Sequence, residues 1–256
     1  MKLPLITIVT VVYNGSKFIE DTILSVINQD YKNIQYIIID GGSNDTTIDI
    51  INKYKNFIDI FISESDFGIY DAMNKSLLYC KGDWLNYMNV GDIFYNNTVI
   101  SDIFTNGIKL NTDLIYGNHK VLYKNSIVNK YPSNLDDLWK GMTIQHQSIF
   151  LNKNIYKNCL FNTKYRFAAD FDLVLRCKKN GYNFFYLNKF ICIVSANGFS
   201  ESNSYSTYLE FKKISLLYDS SLSHKLYFIF KLPFRKIIIL LKFYFPFINK
   251  IKNFKF

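Results

Sequence analysis

The residues of this 256-residue chain best suited to chemistry are acids that follow apolar runs. Trp84 to Met88 is an apolar run of strand length, and Asn89, Val90, Gly91 and Asp92 follow it directly. In an open α/β sheet such a loop lies where ligands bind, outside the carboxyl ends of the strands. A carboxylate beside a glycine at that place can hold a divalent metal through oxygen, leaving the other coordination positions to water and a diphosphate. The same residues also make an ordinary turn, with Gly91 supplying positive φ and Asp92 capping what comes next. A second acid, Asp170, stands in RFAADFDLVLRC, where the alanines, Leu173 and Val174 suggest a helix start. A helix N-terminus holds a carboxylate readily, as a base or as a first-turn cap, and Asp172 is only two residues on. In GIYDAMN, Asp71 and Asn74 share one face at helical spacing while Met73 and Leu77 share another. Their polar edge is open to a sugar, or serves the first helical turn.

The elements that must position these acids are readable from the apolar runs. Ile6 to Val12 is a β-branched run suited to a buried strand, broken by Tyr13, Asn14 and Gly15. Ile34 to Ile39 is another, stopping at Asp40 and followed by Gly41, Gly42, Ser43, Asn44 and Asp45. Strand, glycine-containing loop and helix recur at least three times in the first 105 residues, which predicts an α/β fold with a parallel sheet and crossover helices. Beyond them, Asp113 to Tyr123 and Ser126 to Tyr131 alternate around Lys124-Asn125, predicting a hairpin or small mixed-sheet extension. Ser133 to Lys140 reads as a short helix, and Ser148 to Leu151 as a strand with His146 and Gln147 before it.

Six motifs in order, VVYNG (11–15), DGGSND (40–45), GIYDAMN (68–74), NVGD (89–92), HQ (146–147) and AADFDL (168–173), resemble the inverting family 2 glycosyltransferases of the GT-A fold. They span roughly residues 3 to 200, and the branch most similar makes bacterial surface polysaccharides, colanic-acid-type capsules and lipopolysaccharide among them. The resemblance implies a Rossmann-like mixed, mainly parallel sheet flanked by helices. It divides residues 1–220 into a nucleotide-binding half, 1–105, and an acceptor-binding half, 106–220.

It also implies roles. Asp170 stands at the position of the family's catalytic aspartate and would take the proton of the acceptor hydroxyl, with Ala169 where many relatives carry glutamate. Tyr13 would stack on the base or ribose of a nucleotide-sugar donor, and Asp40 would accept its hydrogen bonds. Asp71 and Asn74 would line the site, and His146 would donate to the leaving diphosphate or the acceptor. Asp92 would be the metal or diphosphate contact, with Mg²⁺ or Mn²⁺ as cofactor and a uridine nucleotide as donor. The sequence departs from the family at Gly91, which occupies a usual ligand position in the DxDD-like stretch, and at Gly41, where many relatives have a second acid.

Charge is unevenly placed. The chain carries a formal +9, and eight basic residues, Lys225, Lys231, Arg235, Lys236, Lys242, Lys250, Lys252 and Lys255, lie between His224 and Phe256 with no acid among them. What precedes them is nearly neutral. The same tail, residues 221–256, is aromatic and aliphatic, but its apolar runs are broken by Lys242 and Pro246, too short for a span of about 20 residues. Broken basic amphipathic helices suit an anionic membrane surface. This predicts a peripheral protein on the cytoplasmic face of the inner membrane, transferring a sugar to a growing or polyprenyl-linked glycan. The alternative use of the tail's apolar side is packing on the domain or a homodimer. Nucleic acid is disfavoured, because the aromatics sit within aliphatic runs and not along a basic groove.

Cys80, Cys159, Cys177 and Cys192 form no CxxC pair and read as reduced, mostly buried thiols. Met1 to Tyr13 does not resemble a cleavable signal peptide. A nucleotidyltransferase would need a glycine-rich basic phosphate loop where VVYNGSKF has one glycine and one lysine, and an oxidoreductase would need GxGxxG after the first strand. A noncatalytic partner that binds a nucleotide sugar within a polysaccharide assembly is the second reading.

Overall fold

The computed structural model describes residues 3–105, 111–196 and 204–231. Its first strand, β1 (Ile6–Val12), is buried along its whole length, as a central strand of a sheet covered on both faces must be. It pairs in parallel with β2 (Ile34–Asp40) on one side and β4 (Trp84–Tyr87) on the other, and β3 (Ile60–Ser63) joins β2 in parallel. The chain thus steps outward through β1, β2 and β3, then crosses back to lay β4 on the opposite edge of β1. That reversal is a topological switch point, and the loops leaving β1 and β4 flank it.

Beyond β4 the sheet becomes mixed. β8 (Ile149–Asn152) runs antiparallel to β4 and to β6 (Leu114–Tyr123). β6 carries β7 (Ser126–Lys130) as the expected hairpin, and β9 (Phe184–Ser195) lies parallel to β6 with β5 (Ile93–Phe94) antiparallel at its edge. The order across the sheet is β3-β2-β1-β4-β8-β6-β9-β5, and the longest ladders, β1–β2 and β6–β9, are the parallel ones.

Because side chains alternate across a strand, β1 and β2 feed two cores. Val9, Val11, Ile37 and Ile39 face one, Ile6, Ile8, Tyr36 and Ile38 the other. Helix α1 (Ile19–Ile27) covers the second core with Ile19, Ile23 and Val26, spaced at i, i+4 and i+7. On that side too lies α4 (Val99–Phe104), whereas α3 (Ile69–Leu77) and α6 (Ala169–Lys179) cover the first. Helix α2 (Thr47–Lys53) follows β2, and a short α5 (Lys153–Tyr156) follows β8. The segment expected to be helical near Ser133 is a 3-10 helix over Leu135–Lys140. Helix α7 (Ser204–Tyr218) packs on α6 and on that 3-10 turn.

Residues 222–231 of the basic tail are helical, and residues 232–256 lie outside the described residues. This helix docks on Trp139: the His224 ring stacks at 3.7 Å and 17°, Tyr227 meets the indole edge-on at 4.9 Å, and Phe228 is fully buried. Residues 222–231 therefore pack on the 3-10 turn Leu135–Lys140. Among the described residues, no helix is long and apolar enough to cross a membrane, and all four cysteines are free, three of them buried.

Candidate active site

The loop after β4 is built by close approach. Gly91 has φ +89, a left-handed conformation that glycine adopts without a Cβ penalty. A Cβ on Gly15, in the loop after β1, would lie 2.7 Å from Val90, so glycine lets the two loops touch across the switch point. From α1, Thr22 fastens the turn, its Oγ1 donating to the Asp92 carbonyl at 2.9 Å and accepting from the Gly91 N–H at 3.1 Å.

Asp92 does not face open solvent. One oxygen accepts from the Gln147 side-chain amide, the other from the Ser195 N–H at 3.2 Å. Burial raises its pKa to about 6, against lowering by His146, Gln147 and Ser195. Ser195 Oγ also donates to the Gly91 carbonyl at 2.8 Å, so the end of β9 clamps this loop.

His146 links this loop to Asp170. Its Nε2 lies 3.0 Å from Asn89 Nδ2 and its Nδ1 lies 3.2 Å from Asp170 Oδ2. An amide nitrogen only donates, so Nε2 accepts and the ring proton sits on Nδ1, directed at Asp170. The other oxygen of Asp170 accepts from Tyr70 Oη at 3.0 Å and from the Phe171 N–H at 2.8 Å. Tyr70 is buried and stacked on Phe161. Burial, then the charge of Asp170, pushes its pKa well above the ordinary phenol range, which keeps it a neutral donor. Asp170 stands in the first turn of α6, as expected, beside a cavity with apolar walls that include Met73, Leu151 and Leu173. Asp172 has a different place: it is buried, ion-paired to Arg176 at 2.9 Å, and accepts from Tyr218.

The structure thus brings Asp92, His146 and Asp170 into one network. The other expected site residues are distributed around it. Tyr13 is 63% exposed, and a Cβ on Gly41 would lie between it and Asp66. Phe67, next to Asp66, is 99% exposed, so two free aromatic faces bracket the loop after β2. Asp40 is fully buried, its carboxylate accepting from the Gly42 and Ser43 N–H groups, the Ser43 hydroxyl, and Ser63 Oγ at 2.7 Å. Asp71 accepts from the Phe67 N–H at 3.0 Å, capping its own turn. Asn74 exchanges two hydrogen bonds with the Phe161 backbone, both 2.9 Å, tying α3 to the segment that leads to α6.

Several members of the network escaped the sequence reading. Tyr70 and Gln147 lie inside the GIYDAMN and HQ motifs, which were the available signal. Asn86, a polar residue inside the apolar WLNYM run, donates to the Gln147 and Ile149 carbonyls and so sets the position of the HQ segment. Asp45 bridges the loops after β1 and β2: it accepts from Thr47 and from the Ser16 N–H, chiefly the former holding its pKa down at about 2.

Residues 7–173 match the model of glycosyl transferase family 2. The chain belongs to that family. It is a glycosyltransferase with an α/β fold of the GT-A type. A PGL/p-HBAD biosynthesis glycosyltransferase of Mycobacterium bovis is 27% identical over 185 residues, covering 70% of this chain and 72% of the relative. An uncharacterized glycosyltransferase of Haemophilus influenzae is 37% identical over 103 residues, 38% of this chain and 40% of that one. The fold is shared with S. aureus TarS 1–349 in complex with UDP-GlcNAc, at TM-score 0.68 and 15% identity over 83% of this chain and 66% of that one. It is shared also with the mannosyltransferase PcManGT of Pyrobaculum calidifontis in complex with GDP-Man and Mn²⁺, at TM-score 0.65 and 12% identity over 84% and 65%. Against the UDP complex of TarS 1–349 the chain spans 64% of the neighbour's length.

The oxygen donors near the switch point can be tested against a divalent metal. Asn89 Oδ1 is buried with no hydrogen-bond partner among the described residues, and Asp92 adds one carboxylate. Among the described residues no group of three or more His, Cys, Asp or Glu is arranged to hold a metal ion. One charged and one neutral oxygen fit a cation that arrives with a diphosphate, whose oxygens fill the remaining positions. They do not make a cage for a resident ion.

Proposed function

We propose that the protein is an inverting glycosyltransferase that moves one sugar from a nucleotide-diphosphate donor, a UDP-sugar, to a lipid-linked or growing bacterial surface glycan at the cytoplasmic membrane face. The observation that carries this is Asp170: an acid at a helix N-terminus, in line with His146 and Asn89, one step from the loop after β4. Displacement at the anomeric carbon builds negative charge on the leaving phosphate while the acceptor hydroxyl loses a proton. A group that accepts the proton and a group that meets the charge are both needed.

Asp170 is the base. Two donors, Tyr70 and His146, fix the direction of its oxygens. The acceptor hydroxyl's proton passes to Asp170 as its oxygen bonds the anomeric carbon and the bond to the diphosphate breaks; the proton is then released to water, and the His146 Nδ1–H and the Tyr70 phenol hold the carboxylate in place for the next turnover. Asn89 and Asp92 meet the diphosphate, and would hold a Mg²⁺ or Mn²⁺ ion that neutralises the leaving group. The exposed faces of Tyr13 and Phe67 offer stacking to the base, while Asp40 shapes the loop beneath them. Asp71 and Asn74 set the α3 edge along which the donor sugar lies.

A thermal-shift panel of nucleoside diphosphates with Mn²⁺, Mg²⁺ or chelator tests this reading, since a ligand specific to the folded state raises its melting temperature. UDP with metal is expected to give the largest rise. A rise of equal size in chelator would remove the metal from the proposal, and no response to any nucleotide would favour the noncatalytic partner.

A further inference from the structure

The helix over 222–231 has two apolar sides, and only one is used. His224, Tyr227 and Phe228 point inward onto Trp139, with Lys231 beside them reaching the Tyr227 hydroxyl. On the opposite face Leu222 is 71% exposed, Leu226 41%, Ile229 56% and Phe230 66%. These four recur at i, i+4, i+7 and i+8, so they form one continuous ridge and not scattered surface residues. A helix that needed only to cap the domain would carry polar groups there.

Charge decides what covers the ridge. Lys225 lies beside it and Lys231 ends the described helix, and six further basic residues and no acid follow to the C-terminus. An apolar ridge with Lys225 beside it, in a sequence that from Lys225 to Phe256 carries basic residues and no acid, complements a surface that is apolar beneath and anionic above, which is a bilayer rich in anionic lipid. A second copy of the chain would bring the same cations against themselves.

We propose that the ridge Leu222, Leu226, Ile229 and Phe230 is a bilayer-docking face, and that the Trp139 stack makes it a rigid one. The inference rests on the membrane reading above and sharpens it. Attachment then fixes how the catalytic domain stands on the membrane, because the docked helix is part of the acceptor-side half and not a loose tether.

The test is co-sedimentation of the full chain with vesicles of phosphatidylcholine alone and of phosphatidylcholine with phosphatidylglycerol. Two variants accompany the wild type: L226E/F230E on the ridge, and R235S/K236S/K242S beyond it. Wild type is expected to sediment with the anionic vesicles only, and the ridge variant to bind about tenfold more weakly or less. Its far-UV circular dichroism and melting temperature should stay those of wild type, since both positions are exposed. Undiminished binding by the ridge variant, with loss in R235S/K236S/K242S, would overturn the ridge while leaving the membrane reading intact. No binding by wild type would overturn both. A wild-type dimer that L226E/F230E converts to monomer, without vesicle binding, would assign the ridge to self-association and overturn the proposal.

Discussion

The loops after β2 and after β4 both leave parallel strands at their carboxyl ends, and each has a buried aspartate, Asp40 as the last residue of β2 and Asp92 in the turn after β4, yet the two acids are held in opposite ways. Asp40 is satisfied by its own loop and the adjacent strand: Gly42 and Ser43, two and three residues on, and Ser63 on β3. Asp92 is satisfied from far along the chain, by Gln147 and Ser195, 55 and 103 residues away. A locally saturated carboxylate is a building part, since its acceptor capacity is already spent on the backbone it organises. Asp92 is held by a side-chain amide and a strand end, with its pKa raised to about 6 by burial, and in the proposed function it gives up one of those partners to meet the diphosphate. Similar sequence patterns, acid and glycine at a strand end, thus yield a locally satisfied carboxylate in one loop and one satisfied across the fold in the other.

Substitutions at the acids can break this contrast. The largest effect is expected at the proposed base: Asp170→Asn should lower kcat about 10³-fold while the donor dissociation constant stays within a few-fold, measured by initial rates and calorimetry. Turnover retained at the wild-type level would remove Asp170 from the chemistry. Asp40→Asn should instead be a stability variant. Asparagine offers one acceptor oxygen where Asp40 uses both, and the loss is expected to be about 2–4 kcal/mol in denaturant unfolding. A loss of donor affinity at unchanged stability would show that Asp40 behaves like Asp92 after all.

Asp92 yields a pH signature. Its folded-state pKa is raised from 3.8 to about 6, so between those values the native state holds more protons than the unfolded state. Stability from this group is therefore present at low pH and lost as pH rises through about 6. Relative to Asp92→Asn, wild type should gain about 2–3 kcal/mol on going from pH 7 to pH 4, read as the difference in their unfolding free energies. Donor affinity should move the other way, weakening below pH 6 as the carboxylate is neutralised. A pH-independent difference between the two proteins would mean that Asp92 is ordinarily solvated. The smallest effect is expected for Tyr70→Phe, which deletes one hydrogen bond to Asp170 at nearly constant shape and costs about 1 kcal/mol. Its kcat should fall by no more than about tenfold while the donor dissociation constant stays unchanged; kcat at the wild-type level would make Tyr70 a packing residue alone.

The same local and distant division explains what the sequence disclosed. The strands at Ile6, Ile34 and Trp84, the hairpin around Lys124-Asn125 and the α6 start at Ala169 follow from runs and breaks a few residues long, and each stands where the pattern predicts. Asp170, Asp92 and His146 were visible as members of motifs. The bonds that join them were not, because Tyr70 meets Asp170 across 100 residues and no local spacing encodes such a pairing. The docking of residues 222–231 on Trp139 was equally hidden: composition marks that helix as amphipathic, but two apolar faces require a partner to tell them apart.

The distance between its partners gives the Asp92 loop a place in time as well as in space. The hydrogen bonds from Gln147 and Ser195 close only after β8 and β9 have joined the sheet, and contacts of such sequence separation form late because chain closure must come first. The loop around Asp40 needs only its neighbours and β3. During refolding the β1–β2–β3 layer would therefore assemble before the loop around Asp92 closes.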